Sequence, residues 1–421
     1  MNLQQRDSRH IWHPLTQHQT SELPIPLVKA KGALLWDEEG NQYIDGIASW
    51  YTAMYGHCND AIIAAVTHQM KQLDQVVFTG FTHEPAVALS ERLVGILPNN
   101  QQKIFFNDNG STSVEVAIKM ALQYHHNKGE KRNVLIAFEE GFHGDTFGAM
   151  SASGLSVYNG PFEDFFMDVK RIPIPDKDNL EEVISLLKTI ISENKCAAFV
   201  YEPLVQGAAG MKMYAPDTLE ELLKVCAKNK VLTIADEVMT GFGKTGKLFA
   251  SQYLNIYPDI MCLSKALTAG MVPMGITSCT REIFEAFLDD TIAKGFFHAH
   301  TYSANPLACV AALAGIELLT SEKIQQDIVR IENAHRRFSK TIKEHPKVAA
   351  VRQLGVILAI DISIEMERYG DLRNKLFSYF MSQGVFLRPL GNTIYILPPY
   401  VISESELEKV YTTIKNSFDL F

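Results

Sequence analysis

The sequence has no apolar run near the roughly 18 residues that a membrane-spanning helix needs, and its first residues contain no apolar leader core. It also has no Lys/Arg-rich stripe: 48 acidic and 39 basic residues give a net charge of −9, which argues against nucleic-acid and anionic-membrane partners. The six cysteines show no C-x-x-C spacing, and several lie in apolar runs. We therefore expect a cytoplasmic protein with buried, reduced thiols and a small-molecule substrate.

Internal repeats and low-complexity linkers are absent as well, so any domain boundary must form between packed elements. A chain of 421 residues, 47% of them hydrophobic, is long enough for a large domain with a fully buried sheet and a smaller second domain. We expect the large domain at 51–310. The N-terminal segment 1–50 and residues 311–421 are expected to form a small α+β domain together.

Metal-ligand patterns are also scarce. The closely spaced histidines are His125–His126 and the pair formed by His298 and His300, and neither pair has a third ligand at metal spacing. No catalytic metal is expected.

Five short apolar runs alternate with helical patterns in the middle of the chain. Because the runs are continuously apolar, they are typical of strands buried on both faces of a parallel sheet. Helices are predicted over Ser111 to about His126 and over Leu219–Lys228, which makes this region α/β with helices on both faces of the sheet. Residues 28–36 and 41–45 are predicted to form a hairpin. The five predicted strands are Ile104–Phe106, Val134–Phe138, Ala197–Tyr201, Val231–Ala235 and Asp259–Leu263.

Ligands of open α/β sheets bind beyond the carboxyl ends of the strands, so the residues that follow each run are candidates for chemistry. After the first run, Gly110, Ser111 and Thr112 open a helix. Free N–H groups, hydroxyls and the positive end of the helix dipole suit a phosphate there. A plain Ser/Thr helix cap explains the same pattern.

The loops after the second and third runs are less specific. In the first of these loops two glycines bracket Phe142 and His143, either of which is able to stack on a planar cofactor. Core aromatics in a glycine-rich turn are the alternative. In the next loop, Glu202 and Pro203 are explained equally well by an ordinary solvated loop.

The fourth and fifth runs are followed by a carboxylate and an amine. Asp236 ends a buried run, where a carboxylate is costly without a cationic partner such as a pyridinium nitrogen. Lys265 is either a snorkelling surface lysine or an ammonium required at that place. Between them, Gly241–Gly246 resembles dinucleotide and Walker patterns, but no helix is predicted after the glycines, and Leu248 stands where a metal-binding hydroxyl belongs.

Taken together, the order and spacing of these residues resemble the fold-type I pyridoxal-phosphate enzymes, and specifically the class III aminotransferases. The resemblance implies a large domain with a mostly parallel seven-stranded sheet, pyridoxal 5′-phosphate as cofactor, and a homodimer. It implies that Lys265, 29 residues after Asp236, holds the cofactor and that Asp236 pairs with the pyridine nitrogen. Thr301 is implied to reach the phosphate from the partner subunit. The other implied cofactor residues are Gly110 and Ser111 at the phosphate, Phe142 on the ring, His143 and His300.

Within this class, nearly the whole chain is similar to the aminotransferases of biotin biosynthesis. The likeness implies 8-amino-7-oxononanoate as amino acceptor, S-adenosylmethionine or lysine as donor, and ping-pong kinetics. Ala208 stands where relatives with a glutamate-derived donor usually carry Glu. The segments that carry the likeness are Ile11–Pro14, Ser49–Tyr51, Gly141–Met150 and Pro203–Met211. The residues implied to contact substrate are Leu15, Trp50, Tyr51, Phe142, Lys265, Ala299 and Arg388.

The sequence departs from the family pattern at four positions expected near the substrate. Leu15 and Phe142 replace frequent tyrosines, Tyr51 a frequent Trp, and Lys244 a frequent Arg. Three other functions stay open. They are another omega-aminotransferase or an aminomutase of the class, a nicotinamide-dependent oxidoreductase that uses the 241–246 glycines, and a non-catalytic cofactor-binding or regulatory protein.

Overall fold

The structure, a computed structural model, describes residues 1–364 and 370–420. The strands are β1 (Leu27–Lys31), β2 (Leu34–Asp37), β3 (Gln42–Asp45), β4 (Gln101–Asn107), β5 (Val134–Phe138), β6 (Val169–Ile172), β7 (Cys196–Tyr201), β8 (Val205–Gln206), β9 (Lys212–Met213), β10 (Leu232–Asp236), β11 (Ile260–Leu263), β12 (Gly275–Thr280), β13 (Val348–Leu354), β14 (Ile357–Ile362), β15 (Val385–Phe386) and β16 (Thr393–Ile396).

The α-helices are α1 (Leu3–His10), α2 (Asp60–Met70), α3 (Glu84–Val94), α4 (Gly110–Asn127), α5 (Phe147–Ala152), α6 (Leu180–Glu193), α7 (Pro216–Lys228), α8 (Arg281–Glu285), α9 (Pro306–Leu319), α10 (Glu322–Ile342), α11 (Asp371–Ser382) and α12 (Glu404–Ser417). Short 3₁₀ helices cover Gly160–Phe165, Ala250–Tyr253, Lys265–Thr268, Ile292–Lys294 and Phe418–Leu420. One further helical turn, Ala48–Tyr51, is left-handed and belongs to the candidate site.

A seven-stranded sheet in the order β4-β12-β11-β10-β7-β5-β6 lies at the centre of the chain. Six of these strands run parallel, and β12 runs antiparallel to both of its neighbours. Every residue of β5, β7, β10 and β11 is buried, because helices cover both faces of the sheet. The predicted α/β fold with a mostly parallel seven-stranded sheet is confirmed, and all five predicted runs are strands of this sheet.

The N-terminal hairpin differs from the prediction in one respect. Residues 28–36 do not form one strand, because a tight turn at Gly32, whose φ is +61°, divides them into β1 and β2. The predicted turn between β2 and β3 is present. Strand β15, from the far end of the chain, adds to β3 in parallel and pairs Val385 with Ile44. N-terminal and C-terminal residues therefore share one sheet, and the division into domains at 51 and 311 stays a prediction.

The six cysteines are all free. Five are buried, as expected, whereas Cys58 is exposed because it lies in the turn that precedes α2. Within the described ranges, no helix is both long enough and apolar enough to cross a bilayer.

Candidate active site

Three neighbouring parallel strands of the central sheet end at ionisable residues. Glu202 follows β7 directly, Asp236 is the last residue of β10, and Lys265 comes two residues after β11. Because the strands are adjacent and parallel, their carboxyl ends meet at one edge of the sheet. These three residues and His143, which contacts Asp236, are called the strand-end cluster below.

Asp236 is almost fully buried, with 4% of its surface exposed. Its Oδ2 lies 2.8 Å from His143 Nδ1, and its Oδ1 accepts the Val238 N–H at 3.1 Å. A carboxylate only accepts hydrogen bonds, so the proton of this contact belongs to Nδ1 of the imidazole. His143 is thereby held edge-on against Asp236, whereas Phe142 is 43% exposed. Of the two rings predicted to stack on a cofactor, only Phe142 presents an accessible face.

Lys265 begins the 3₁₀ helix Lys265–Thr268 and has a left-handed backbone, with φ of +52°. Burial lowers the pKa of its ammonium group, and the negative charges of Asp236 and Glu202 oppose that shift. Its Nζ lies 5.0 Å from the centre of the Tyr51 ring. An amine with a lowered pKa is more often unprotonated near neutrality, as a nucleophile or a proton-transferring base requires. A snorkelling surface lysine would have neither property.

The start of α4 forms an anion-binding turn. Asn109 caps the helix by accepting the N–H of Thr112 at 2.9 Å, so Ser111 is not the cap. The N–H groups of Gly110 and Ser111 lie in the first turn and have no acceptor within the helix. No other group in the described part of the chain accepts them, so at the positive end of the helix dipole they are able to bind a negatively charged group.

Two glycines bring other segments close to this turn. A Cβ on Gly144 would lie 2.1 Å from Ser111 Oγ, and a Cβ on Gly110 would lie 2.8 Å from Val238 Cγ1. The loop that carries Phe142 and the segment after Asp236 thus both approach the anion-binding turn. Val238, two residues after Asp236, was missed by the sequence analysis because an isolated valine carries no chemical signal.

Glu202 was not assigned a role from the sequence, because a solvated loop explained its pattern equally well. The side chain is instead 4% exposed, and its two carboxylate oxygens accept the N–H groups of Phe142 at 3.0 Å and Gly207 at 2.9 Å. The carboxylate therefore fixes the Phe142 loop to the loop after β8. The signal that identified Asp236, an acid directly after a buried strand, would have identified Glu202 too.

Burial raises the pKa of Glu202 from its ordinary value of 4.5 to about 7. A carboxyl group whose pKa is raised on folding stabilises the folded protein at pH values below its pKa in the unfolded chain. That contribution is lost as the pH rises through its pKa in the folded protein. In the cofactor-free protein, we expect the free energy of unfolding to fall by up to roughly 3 kcal/mol between about pH 4.5 and pH 8 because of Glu202. In Glu202→Gln, this pH-dependent fall in the free energy of unfolding should be absent. Denaturant titrations of both proteins across that pH range measure it, and parallel pH dependences would contradict the assignment.

A left-handed turn at Ala48–Tyr51 presents the two aromatic residues predicted to contact substrate. Its φ values are +47°, +46°, +57° and +70° in order, and each such residue costs about 1–2 kcal/mol relative to a right-handed conformation. The Trp50 ring lies 5.0 Å from the Arg388 guanidinium, and the Tyr51 ring faces Lys265. The turn thus joins Arg388 to the strand-end cluster. Among the described residues, no carboxylate forms an ion pair with Arg388.

The remaining predicted residues are not joined to the cluster within one chain. Residues 299–301 form no hydrogen bond or ring contact with the strand-end cluster in the described ranges, and Thr301 is exposed, with its carbonyl accepting from Gln75. Leu15 is likewise exposed. Lys244, expected near substrate, is fully buried and donates to the Gly241 carbonyl at 2.7 Å. No group of three His, Cys, Asp or Glu side chains in the described part of the chain is arranged to hold a metal ion.

Comparison with known proteins places this geometry in a family. Residues 15–418 match the family model for class III aminotransferases. The chain belongs to the class III aminotransferases. It is 41% identical to an adenosylmethionine-8-amino-7-oxononanoate aminotransferase of Synechococcus elongatus, over 97% of this chain and 98% of the relative. The enzyme of that name from Staphylococcus aureus is 33% identical, over 99% and 97%.

Solved structures agree with the sequence comparisons. The adenosylmethionine-8-amino-7-oxononanoate aminotransferase of Methanocaldococcus jannaschii superposes with a TM-score of 0.92 at 33% identity, covering 98% of each chain. A pyridoxal-phosphate-bound amine transaminase from an uncultivated Pseudomonas species superposes with a TM-score of 0.91 at 27% identity, covering 97% of this chain and 98% of that one. The resemblance stated from the sequence is therefore confirmed, and so is the predicted transaminase class.

The cofactor of this class of aminotransferases is pyridoxal 5′-phosphate. The residues of the strand-end cluster and of the anion-binding turn fit it. The free N–H groups at the start of α4 suit its phosphate, the buried Asp236 suits a protonated ring nitrogen, and the amine of Lys265 suits its carbonyl carbon.

Proposed function

We propose that this class III aminotransferase transfers an amino group to 8-amino-7-oxononanoate and so produces 7,8-diaminononanoate for biotin synthesis. The proposal rests on the contact between Trp50 and Arg388, which the left-handed turn joins to the strand-end cluster. Arg388 would thereby provide a carboxylate-binding group at a transamination site. The names of the Synechococcus, Staphylococcus and Methanocaldococcus relatives support the same substrate. The proposed donor is S-adenosylmethionine, with lysine as the alternative.

When bound, pyridoxal phosphate supplies an electron sink that stabilises charge on a carbon from which a proton is removed. Asp236 would keep a positive charge on the ring nitrogen, and His143 holds the Asp236 carboxylate in place. Lys265 has two tasks, since its Nζ both holds the cofactor and carries the transferred proton. Glu202 fixes the backbone of Phe142, whose exposed ring would pack on the cofactor ring.

Arg388 is proposed to bind the terminal carboxylate of the acceptor. Arg388→Lys keeps the positive charge but loses the two-pronged geometry that matches a carboxylate. Since a hydrogen bond to a charged group contributes about 1.5–3 kcal/mol, we expect the KM for 8-amino-7-oxononanoate to rise about 10- to 100-fold. The half-reaction with the donor should change much less. Steady-state kinetics with each substrate varied measure both, and an equal loss in the two half-reactions would assign Arg388 a structural role.

A homodimer with sites completed by residues 299–301 of the second copy is also proposed. Several large apolar side chains are largely exposed on the single chain, and burying such a surface is a usual basis of oligomer formation. They include Trp12, Val157, Phe165, Ile292, Phe297 and Tyr302. The three-residue segment 299–301 lies in the same exposed region as Phe297 and Tyr302. Sedimentation equilibrium gives the mass directly.

The six free cysteines are consistent with a reducing compartment such as the cytoplasm.

The decisive experiment supplies the purified, cofactor-loaded protein with 8-amino-7-oxononanoate and, in separate reactions, S-adenosylmethionine or lysine. Formation of 7,8-diaminononanoate supports the proposal and identifies the donor. Turnover of simple amines and keto acids without diaminononanoate would instead support another omega-aminotransferase. Spectral changes with a nicotinamide cofactor and none with pyridoxal phosphate would support an oxidoreductase.

A further inference from the structure

The left-handed turn Ala48–Tyr51 has no local cause in its sequence. None of its four residues is glycine, and alanine, serine, tryptophan and tyrosine all disfavour positive φ. Its backbone hydrogen bonds, from the N–H of Tyr51 to the Ile47 carbonyl at 3.0 Å and of Thr52 to the Ala48 carbonyl at 2.9 Å, are those that a right-handed turn would also form. Interactions from outside the turn must therefore select the hand, and strain of this kind persists where the surroundings over-determine it.

Asp45 supplies those interactions. It is completely buried, and its Oδ2 accepts hydrogen bonds from Ser49 Oγ and from His57 Nε2, both at 2.8 Å. Its Oδ1 accepts the N–H of Ile47 at 3.2 Å. One carboxylate thus binds the residue before the turn, a side chain within the turn, and a histidine beyond it.

His57 is itself fixed in place. Its backbone N–H donates to the Gly32 carbonyl at 2.8 Å, and its carbonyl accepts the Gly32 N–H at 3.1 Å. The imidazole therefore connects Asp45 to the turn between β1 and β2. The far end of the left-handed turn meets the segment after Lys265, because a Cβ on Gly270 would lie 3.1 Å from Thr52 Oγ1. The turn is held at both ends.

We propose that Asp45 is a positioning residue that, with His57 and Ser49, holds Ala48–Tyr51 in its left-handed conformation and so sets two contacts at once. One is Trp50 against Arg388, where the acceptor carboxylate binds, and the other is Tyr51 against Lys265. In a right-handed turn, the side chains of Trp50 and Tyr51 would point in other directions and would not make these two contacts. Asp45 touches neither substrate nor cofactor, so it acts through the turn, and its kinetic consequence rests on the proposed function.

Asp45→Asn tests this role, since the amide keeps the shape but replaces the Oδ2 acceptor with a donor. Misplacement of the two aromatic rings should raise the KM for 8-amino-7-oxononanoate about 10-fold or more. The matched control is Asp37→Asn. Asp37 is a buried carboxylate of the same sheet that accepts from the Asn41 N–H at 2.9 Å and from Tyr43 Oη at 2.7 Å, away from the site. The Asp37→Asn protein should be less stable than the wild-type protein but have the same KM for 8-amino-7-oxononanoate.

Two further variants separate positioning from general damage. In the Asp45→Asn protein, Ala48→Gly should restore at least part of the acceptor KM, because glycine adopts positive φ without strain. Ser49→Ala removes one of the three hydrogen bonds and should give a smaller rise in KM than Asp45→Asn. Ser49→Gly also lacks the hydroxyl but adopts positive φ without strain, so its rise in KM should be smaller still. These serine variants carry the test if Asp45→Asn does not fold.

A readout independent of turnover uses Trp50 as the probe, with Trp12 and Trp36 both changed to Phe. Acrylamide quenching of the remaining tryptophan should increase in Asp45→Asn and stay unchanged in Asp37→Asn. Equal quenching and equal acceptor KM in these two variants would overturn the inference. If the wild-type protein does not aminate 8-amino-7-oxononanoate with any donor, the proposed function fails, while the quenching comparison still decides whether Asp45 holds the turn.

Discussion

Lys265→Ala should abolish transamination. The substitution removes both the amine that holds the cofactor and the group that carries the proton, and loss of a positioned acid–base group alone costs up to about 10⁴-fold in rate. Added pyridoxal phosphate should still bind through the turn at the start of α4, with a weaker affinity and a changed visible absorbance spectrum. Stopped-flow absorbance with each substrate and product analysis measure the two effects.

Two variants serve as controls for this result. Lys265→Arg keeps the positive charge but has no primary amine, so it should be as inactive as the alanine variant. Lys247→Ala removes an exposed lysine that donates to the Gln252 carbonyl and lies 4.3 Å from the centre of the Tyr253 ring, away from the strand-end cluster, and it should be fully active. Turnover by Lys265→Ala, with the spectrum of the wild-type protein, would reject the assignment of this lysine.

Asp236→Asn should keep the fold and lower kcat by about 10²- to 10³-fold, the effect of losing one preorganised electrostatic partner in a buried site. The amide cannot hold a positive charge on the ring nitrogen, and it also disturbs the 2.8 Å contact with His143. Single-turnover rates with the donor isolate this effect from acceptor binding.

Asp259→Asn is the matched control for Asp236. Asp259 is a carboxylate at the opposite end of the same strands, where it accepts the N–H and the hydroxyl of Thr233, both at 2.8 Å. Its replacement should lower stability and leave the single-turnover rate unchanged. If both asparagine variants react as fast as the wild-type protein, the Asp236 carboxylate has a structural role only.

The central sheet was predictable because its strands are buried on both faces and therefore continuously apolar. Strand β5 was predicted with its observed bounds, and strands β7 and β10 to within one residue at each end. The prediction was wrong at residues 28–36, because a single glycine turn inside an otherwise strand-like run depends on which strand pairs with which. Runs of that kind carry little information on register.

The strand-end rule also identified Asp236 and Lys265, but resemblance was needed to choose between their alternatives. Glu202 was accessible to the same rule but was left open, since nothing in the sequence indicates that its loop is buried. The left-handed turn was beyond prediction for a different reason. Its hand depends on Asp45 and His57, which act from outside it, and local preferences favour the opposite conformation.

The parallel pairing of β15 with β3 has a consequence for the order in which the protein is completed during synthesis. Residues 110–265, which carry the anion-binding turn, Asp236 and Lys265, leave the ribosome well before the strand at 385–386 and the nearby Arg388. A nascent chain is therefore able to bring these groups together first, while one edge of strand β3 is still unpaired. The acceptor carboxylate can be bound only after β15 has paired with β3 and Arg388 has been synthesised. Translation that stops early therefore yields a protein that lacks the proposed carboxylate-binding arginine.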